Sequence, residues 1–414
     1  MPSWEGSPIA GPPSPSTQLS IRRTRLAVAT IGHAFSDGFV NLVPPLLYVV
    51  RDMFRLSDSG LGNVMMVASL TTNFGQPVFG YLTDRLRWQN VVGLGVLISA
   101  VFICAIGFMP NLWLFVAALV FSGMGTALFH PQGGGLAAHA SGHRRAFGMS
   151  IFGMGGAIGY AGGALASPVL HQLGLAAGMG PLQGFIVALP FGLIVAYLLY
   201  AYTRDHSVPA PAARFRLRQH LLPYWRSLLP VLLVMVLRSM TVIAYATFFQ
   251  VIIGERGLSV YHQGGSQFTF VLGGAVGGIV GAHLSDLWGR RFITVLTLLI
   301  SPPLLYYSLY TPYAVALALL FLSGLIVRAA EPVNIAQAQD LVPGGISVAS
   351  SIGMGFAWGI ASIVTPLVGR VSDITGKLPY ALSLSAFLPV IAAVVALGLP
   401  TRPPAAEPGE ASAN

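Results

Sequence analysis

Charge is what this chain has least of. Only 8% of its 414 residues are charged, against 54% hydrophobic, and the mean hydropathy is +0.73. A soluble domain carries about a quarter charged residues, so a water-soluble globule is excluded and an integral membrane protein is expected. Cysteine is nearly absent. Cys104 stands alone inside an apolar run, which excludes an internal disulfide and suits a small buried hydrophobe. Also missing are a nucleotide-binding loop, a nucleophile motif and a metal-ligand cluster. The sequence therefore supports neither an ATP-driven nor an enzymatic mechanism, and calls for no metal or cofactor. Residues 1–20 are rich in Pro and Ser and lack the basic start and apolar core of a signal peptide. They read as a disordered tail, and so does the stretch from Thr401, 401–414.

What is abundant is apolar sequence of bilayer length. Twelve runs are long enough to cross, approximately 26–50, 61–83, 90–109, 111–139, 147–172, 181–203, 227–252, 264–287, 292–310, 313–339, 346–373 and 379–399. The net charge of +9 raises the question of nucleic acid, but its distribution answers against it. Sorted by alternate loops, 15 basic residues fall on the side of the N-terminus and 5 on the other, with Arg238 and Arg328 left inside apolar runs. That bias predicts both termini in the cytoplasm of a cell whose inner membrane holds the chain. The partners expected are lipid, a small-molecule substrate and protons, with the chain acting as a monomer.

The runs fall into two sets of six. Between them, 204–226 is the longest polar interruption, with Pro209, Pro211 and Pro223 among basic residues. We read 21–203 and 227–400 as two helical bundles joined by this linker. The halves repeat. Ser122-Gly123 and His130-Pro131 match Ser323-Gly324 and Glu331-Pro332 at an offset of 201, and Asp37 matches Arg238 at the same offset. Gly153-Met154-Gly155 and Gly159 match Gly353-Met354-Gly355 and Gly359 at an offset of 200. The fifth and eleventh runs are rich in glycine, which either packs helices closely or lets them flex.

An ion in hydrocarbon costs several kcal/mol, so such residues usually face a polar cavity. His33, Asp37 and Asn41 are four apart and share one face of the first run. A His–Asp pair at that spacing can exchange a proton, or it can be a fixed structural bond. His130, just before Pro131, either satisfies backbone groups at a proline kink or faces the cavity as a titrating donor. Arg328 and Glu331 are three apart: either they neutralise each other, or Arg328 holds an anion while Glu331 carries a proton. Arg238 has no acidic neighbour in its own run, and Asp37 across the axis is its nearest candidate partner. A guanidinium suits capture of phosphonate or carboxylate. Tyr245, Gln76, Gln250, Asn334 and Gln337 are weaker candidates for the same cavity.

Loop motifs then suggest a family. Gly281 precedes Asp286-Leu287-Trp288-Gly289-Arg290-Arg291, and the first half has Gly80-Tyr81-Leu82-Thr83-Asp84-Arg85-Leu86-Arg87. These resemble the G-x-x-x-D-[RK]-x-G-[RK]-[RK] loop of the major facilitator superfamily, with Arg87 in place of the second glycine. A carboxylate at such a helix end can accept from a neighbouring helix N-terminus and pair with arginine, acting as a latch between halves. Four shorter matches point closer: Gly32-His33-x-x-x-Asp37 leading to Val43-Pro44-Pro45, Phe129-His130-Pro131, Gly273-Gly274-Ala275-Val276-Gly277, and Ala338-Gln339-Asp340-Leu341-Val342-Pro343-Gly344. Together these resemble the fosmidomycin-resistance family of bacterial exporters.

The resemblance implies an all-α membrane protein of twelve transmembrane helices in two pseudo-symmetric six-helix bundles. Its central cavity would be lined by helices one, four, seven and ten, and its activity would be proton-driven export of small drugs, phosphonates included. Asp37, His33, Glu331 and His130 would carry protons. Arg238, Arg328, Asn41 and Tyr245 would meet the substrate. The chain lacks the intramembrane arginine of span four and the G-P-x-x-G-G pattern of span five found in other drug:proton antiporters, so their coupling scheme does not transfer. The rivals are an importer of organic or inorganic anions, a sensor or assembly factor that no longer transports, and a channel.

Overall fold

The computed structural model describes residues 15–86, 91–203, 224–341 and 355–399. Those residues are helical and contain no strand. In lipid each backbone N–H and C=O must find its partner within the chain, and a helix supplies that partner locally.

The first half contains α1 (Pro15–Val40), α2 (Leu47–Phe54), α3 (Asp58–Leu86), α4 (Val91–Cys104), α5 (Leu112–Ala140), α6 (Arg145–Ala176) and α7 (Leu189–Thr203). The second contains α8 (Trp225–Glu255), α9 (Val260–Trp288), α10 (Arg290–Ser308), α11 (Tyr313–Asp340), α12 (Ala357–Ala361), α13 (Val364–Thr375), α14 (Leu378–Ser385) and α15 (Leu388–Ala396). The tightest packing lies inside each half, α1 on α6 and α9 on α11. Two seams join the halves, α3 on α13 and α6 on α9.

Nine stretches among the described residues are long and apolar enough to span a bilayer. The remaining three expected runs have identifiable reasons for falling short. The second, α3, is 29 residues long but carries Asn63, Ser69, Thr71, Thr72, Asn73 and Gln76. The third is helical over only 14 residues before a 3-10 turn at Ile106–Phe108. The eleventh falls partly in 342–354, outside the described residues, and its described part breaks between α12 and α13. The first run is broken too: Pro44 and Pro45 lack a backbone N–H, and the chain makes a 3-10 turn there before α2 resumes. The linker 204–223 and the tails 1–14 and 400–414 lie outside the described residues.

A set of bonds that join the halves gathers at one end. Arg51 Nη1 donates to Asp58 Oδ1 at 3.0 Å and to Glu255 Oε1 at 2.6 Å. Asp373 of α13 accepts the backbone N–H groups of Asp58 and Ser59 at 3.0 and 3.2 Å, so it caps the first turn of α3 from the other half. Ser372 Oγ donates to Asp58 Oδ2 at 2.6 Å, and Thr365 Oγ1 to Gly62 O at 2.8 Å. A cavity of about 750 Å3 with Arg51, Glu255, Asp373 and Lys377 in its walls opens at this end.

Candidate functional site

Midway along the helices the buried ions form two clusters, one in each half. In the first, Asp37 of α1 lies between two histidines. His33 Nε2 is 3.3 Å from Oδ2, and His130 Nε2, from α5, is 3.1 Å from Oδ1. His33 stands one turn before Asp37 on the same face, and His130, just before Pro131 inside α5, faces α1. The other nitrogen of each ring is bound to backbone: His33 Nδ1 to Phe152 O at 2.8 Å, His130 Nδ1 to Thr126 O at 2.9 Å. One nitrogen of His130 thus serves the backbone and the other faces the carboxylate. The His33 ring stacks on Phe152 with centroids 4.1 Å apart and stands edge-on to His130.

A glycine makes this closeness possible. A Cβ at Gly156 of α6 would lie 2.5 Å from His33 Cε1 and 2.8 Å from Asp37 Oδ2. Any larger residue would occupy the cluster's own space.

In the second cluster, Glu331 of α11 lies between two arginines. Arg328 Nε donates to Oε2 at 3.1 Å, and Arg238 Nη1, from α8, is 3.7 Å from the same oxygen. Arg238 is completely buried; Nη2 donates to Ser239 Oγ, while Nε and Nη1 make no hydrogen bond. The Arg328 guanidinium also sits over the Trp358 ring, 5.7 Å from its centroid. Here too a glycine makes room, because a Cβ at Gly274 of α9 would collide with Arg328 Cδ.

The expected Asp37–Arg238 pair is not what forms. Arg238 turns to Glu331 within its own half, and Asp37 to two histidines within its own. A carboxylate flanked by two bases thus recurs on both sides of the pseudo-twofold axis, with the carboxylate moved from α1 to α11. The two clusters share surroundings. Tyr160 of α6 lies within electrostatic reach of both Asp37 and Arg328. His33, Asp37, His130, Arg328 and Glu331 keep 11–25% of their side-chain surface, whereas Arg238 keeps 1%. Five of these side chains are thus partly accessible, and Arg238 is not. No metal cluster was legible in the sequence, yet ligand atoms of His33, Asp37 and His130 all lie within 4.8 Å of one another. Their spacing could admit a cation.

Other expected residues have different settings. Asn41 is fully buried; its amide donates to Tyr160 O at 2.6 Å and accepts from Gln267 across the axis at 3.4 Å. Gln250 continues that chain by donating to Gln267 at 2.7 Å. Tyr245 is 1% exposed, packed with Phe249 and Phe270, its hydroxyl without a partner. Asn334 accepts from Thr294 in the core. Sequence reading missed Tyr160, Phe152 and Trp358. Tyr160 had a signal, lying four residues beyond Gly156 in the glycine-rich fifth run.

Of the loop motifs, Gly289 has φ +89° and begins the turn into α10. Arg290 pairs with Asp340, and Arg291 reaches Leu399 O. Asp286 is exposed. Gly80 faces Pro131, and Arg85 approaches the Tyr81 hydroxyl. The side chain of Asp84 lies outside the described residues.

Comparison with known proteins accords with this architecture. The sequence profile of the Major Facilitator Superfamily matches residues 26–366. The chain is similar to the uncharacterized MFS-type transporter YfnC of Bacillus subtilis (strain 168), 27% identical over 385 residues, covering 91% of this chain and 92% of that protein. It is similar to the fosmidomycin resistance protein of Escherichia coli (strain K12), 26% identical over 402 residues, covering 94% and 96%. Among solved structures it superposes on a bacterial homologue of the human lysosomal transporter Spinster, inward-facing and unoccupied, with a TM-score of 0.74 at 15% identity over 91% of this chain and 96% of that one. It also superposes on the nucleoside transporter NupG, with a TM-score of 0.69 at 11% identity over 91% and 99%. With its all-helical bundles and a profile match across most of its length, this chain belongs to the Major Facilitator Superfamily, a multi-pass membrane transporter and not an enzyme.

Proposed function

We propose that the protein is a proton-coupled antiporter that exports small, polar, anionic organic compounds, phosphonate-type drugs among them, by alternating access. The observation that carries this reading is the division of labour between the clusters. His33, Asp37 and His130 are all groups that gain and lose protons, whereas Arg238 and Arg328 hold fixed positive charge against the single carboxylate of Glu331. An exchangeable cluster and a permanently cationic one around one cavity suit protons moving one way and an anion the other. The similarity to the fosmidomycin resistance protein supports a phosphonate as cargo.

In the cycle we envisage, a substrate anion entering from the cytoplasm takes the donors of Arg238 and Arg328 as the first cluster gives up protons to that side, and protons entering from outside reload the cluster as the anion leaves. Residues 21–203 rock against 227–400. In this reading the bonds of Arg51, Asp58 and Asp373 form the closed outer gate, the cavity they line is its outer vestibule, and substrate enters from the cytoplasm, where both termini and the loops of Asp84 and Asp286 lie, on the inner face of the cell membrane. Glycine-rich α6 is a bending element.

The test is drug tolerance in a pump-deficient bacterium expressing wild type or Asp37→Asn at matched membrane levels. Tolerance to fosmidomycin or other anionic phosphonates that vanishes in the variant is the expected result. Wild type that gives no tolerance to anionic or cationic compounds, although well expressed, would sink the export reading. Weight would then pass to anion import, which the same surplus of arginine would serve.

A further inference from the structure

Each histidine of the first cluster has one nitrogen already committed. A carbonyl oxygen only accepts hydrogen bonds, so Nδ1 of His33, 2.8 Å from Phe152 O, carries hydrogen, and so does Nδ1 of His130, 2.9 Å from Thr126 O. A neutral imidazole fixed in that tautomer has a bare lone pair at Nε2. Both Nε2 atoms point at Asp37, one at each carboxylate oxygen. An ionised carboxylate offers lone pairs as well. Each N···O contact is therefore repulsive unless a proton lies on it, whether held by nitrogen or by oxygen.

One proton settles one contact only. Placed on Asp37 Oδ1 it satisfies His130 and leaves the His33 lone pair facing Oδ2. Placed on His33 Nε2 it leaves His130 facing Oδ1. We infer that this cluster is a two-proton store: in the arrangement described it holds two protons, one on each line between a histidine and Asp37. The net charge is then +1 wherever the protons sit. Removing one leaves a repulsive contact 3.1 or 3.3 Å long, so the emptied cluster must open.

The surroundings do not supply an alternative proton. Tyr160 of α6 lies within electrostatic reach of Asp37 and Arg328, but the hydrogen-bond partners of the Asp37 carboxylate are His33 and His130. Cys104 of α4 is sealed in the core, and Tyr197, Tyr200 and Tyr202 of α7 are exposed on the outer surface. On α3, Asp58 is bonded to Arg51, and Tyr81 and Arg85 stand together near the opposite end. A divalent cation is the one other species that could sit between these donors. Tetrahedral ligands at about 2.0–2.1 Å lie roughly 3.3–3.4 Å apart, close to the N···O separations here.

The consequence for transport, that a cycle emptying this store moves two protons, rests on the antiport reading. The proton count does not. It is measured on the full chain in lipid nanodiscs, stripped with chelator. Histidine is labelled with 15N and aspartate with 13C, and spectra are taken from acid to alkaline pH. His33→Gln and His130→Gln assign the rings, and Asp37→Asn the carboxyl. Near neutrality the two Nε2 atoms and the Asp37 carboxyl should together hold two protons. His130→Gln, whose amide can donate to Asp37 without a titrating proton, should lower that sum near neutrality from two to one, even if Asp37→Asn proves too unstable to handle. A sum that stays at one wherever the protein is folded overturns the inference. So does one equivalent of Zn2+ that fixes both Nε2 resonances and makes them independent of pH, because the occupant would then be a cation. Either result stands whether or not any drug is exported.

Discussion

At Gly156 a single methyl group decides whether the first cluster can exist, since a Cβ there would overlap His33 and Asp37. Gly156→Ala should abolish the phosphonate tolerance given by wild type at matched expression. It should also lower the thermal midpoint through overpacking worth about 1–3 kcal/mol. Gly153→Ala, whose Cβ would meet nothing within 4 Å, should leave both unchanged and serves as the control. Glu331 presents the opposite case. Glu331→Ala strands Arg238 and Arg328 without a carboxylate, and breaking a buried pair in this way costs about 3–5 kcal/mol. Thermal unfolding in detergent should fall accordingly, and Arg238→Met combined with Glu331→Ala should recover part of the loss, because the stranded charge at Arg238 is then gone too. The participants in both clusters were legible in the sequence, being ions where ions are costly. Their partners were not. Asp37 and His130 meet because α1 packs on α5, and nothing in either segment records which helix it will face.

The element that depends most on its neighbour is α3. Its first turn has amides with no partner of their own, and Asp373 at the far end of α13 supplies one from the other half. Caps of this kind are worth about 0.5–2 kcal/mol. Asp373→Ala should therefore shift the conformational equilibrium by roughly fivefold away from the state described here. Electron-spin distance measurements between labels at Ser57→Cys and Lys377→Cys would read that as growth of a longer distance. An unchanged distribution would mean that the cap does not hold the gate. Native Cys104 is buried, so these labels can go into the otherwise natural chain. The helix breaks were partly legible, since Pro44-Pro45 stops the first run. The break near Ser362 had a signal that was not used: Pro366 lacks the N–H that would bond Ser362 O, and Thr365 takes that carbonyl instead.

For the molecule as a whole, the fold was legible before any coordinates, because the repeat offsets and the apolar runs together demand two halves in a bilayer. What could not be read was the state. Which end is shut depends on contacts such as Arg51 with Glu255, between segments some two hundred residues apart. The second cluster has one further consequence. Two guanidiniums against one carboxylate leave a unit of positive charge that no proton transfer at usual pH can remove. A carrier with such a charge near mid-membrane is a voltage sensor as well as a binding site. Each elementary charge moved through the full field exchanges about 2.3 kcal/mol per 100 mV. If the empty cavity changes sides without its anion, that step is electrophoretic. Proteoliposomes on a solid-supported membrane should then pass a transient current even without substrate. The current should reverse with the imposed potential and shrink in Arg328→Gln, which leaves Arg238 and Glu331 as a neutral pair.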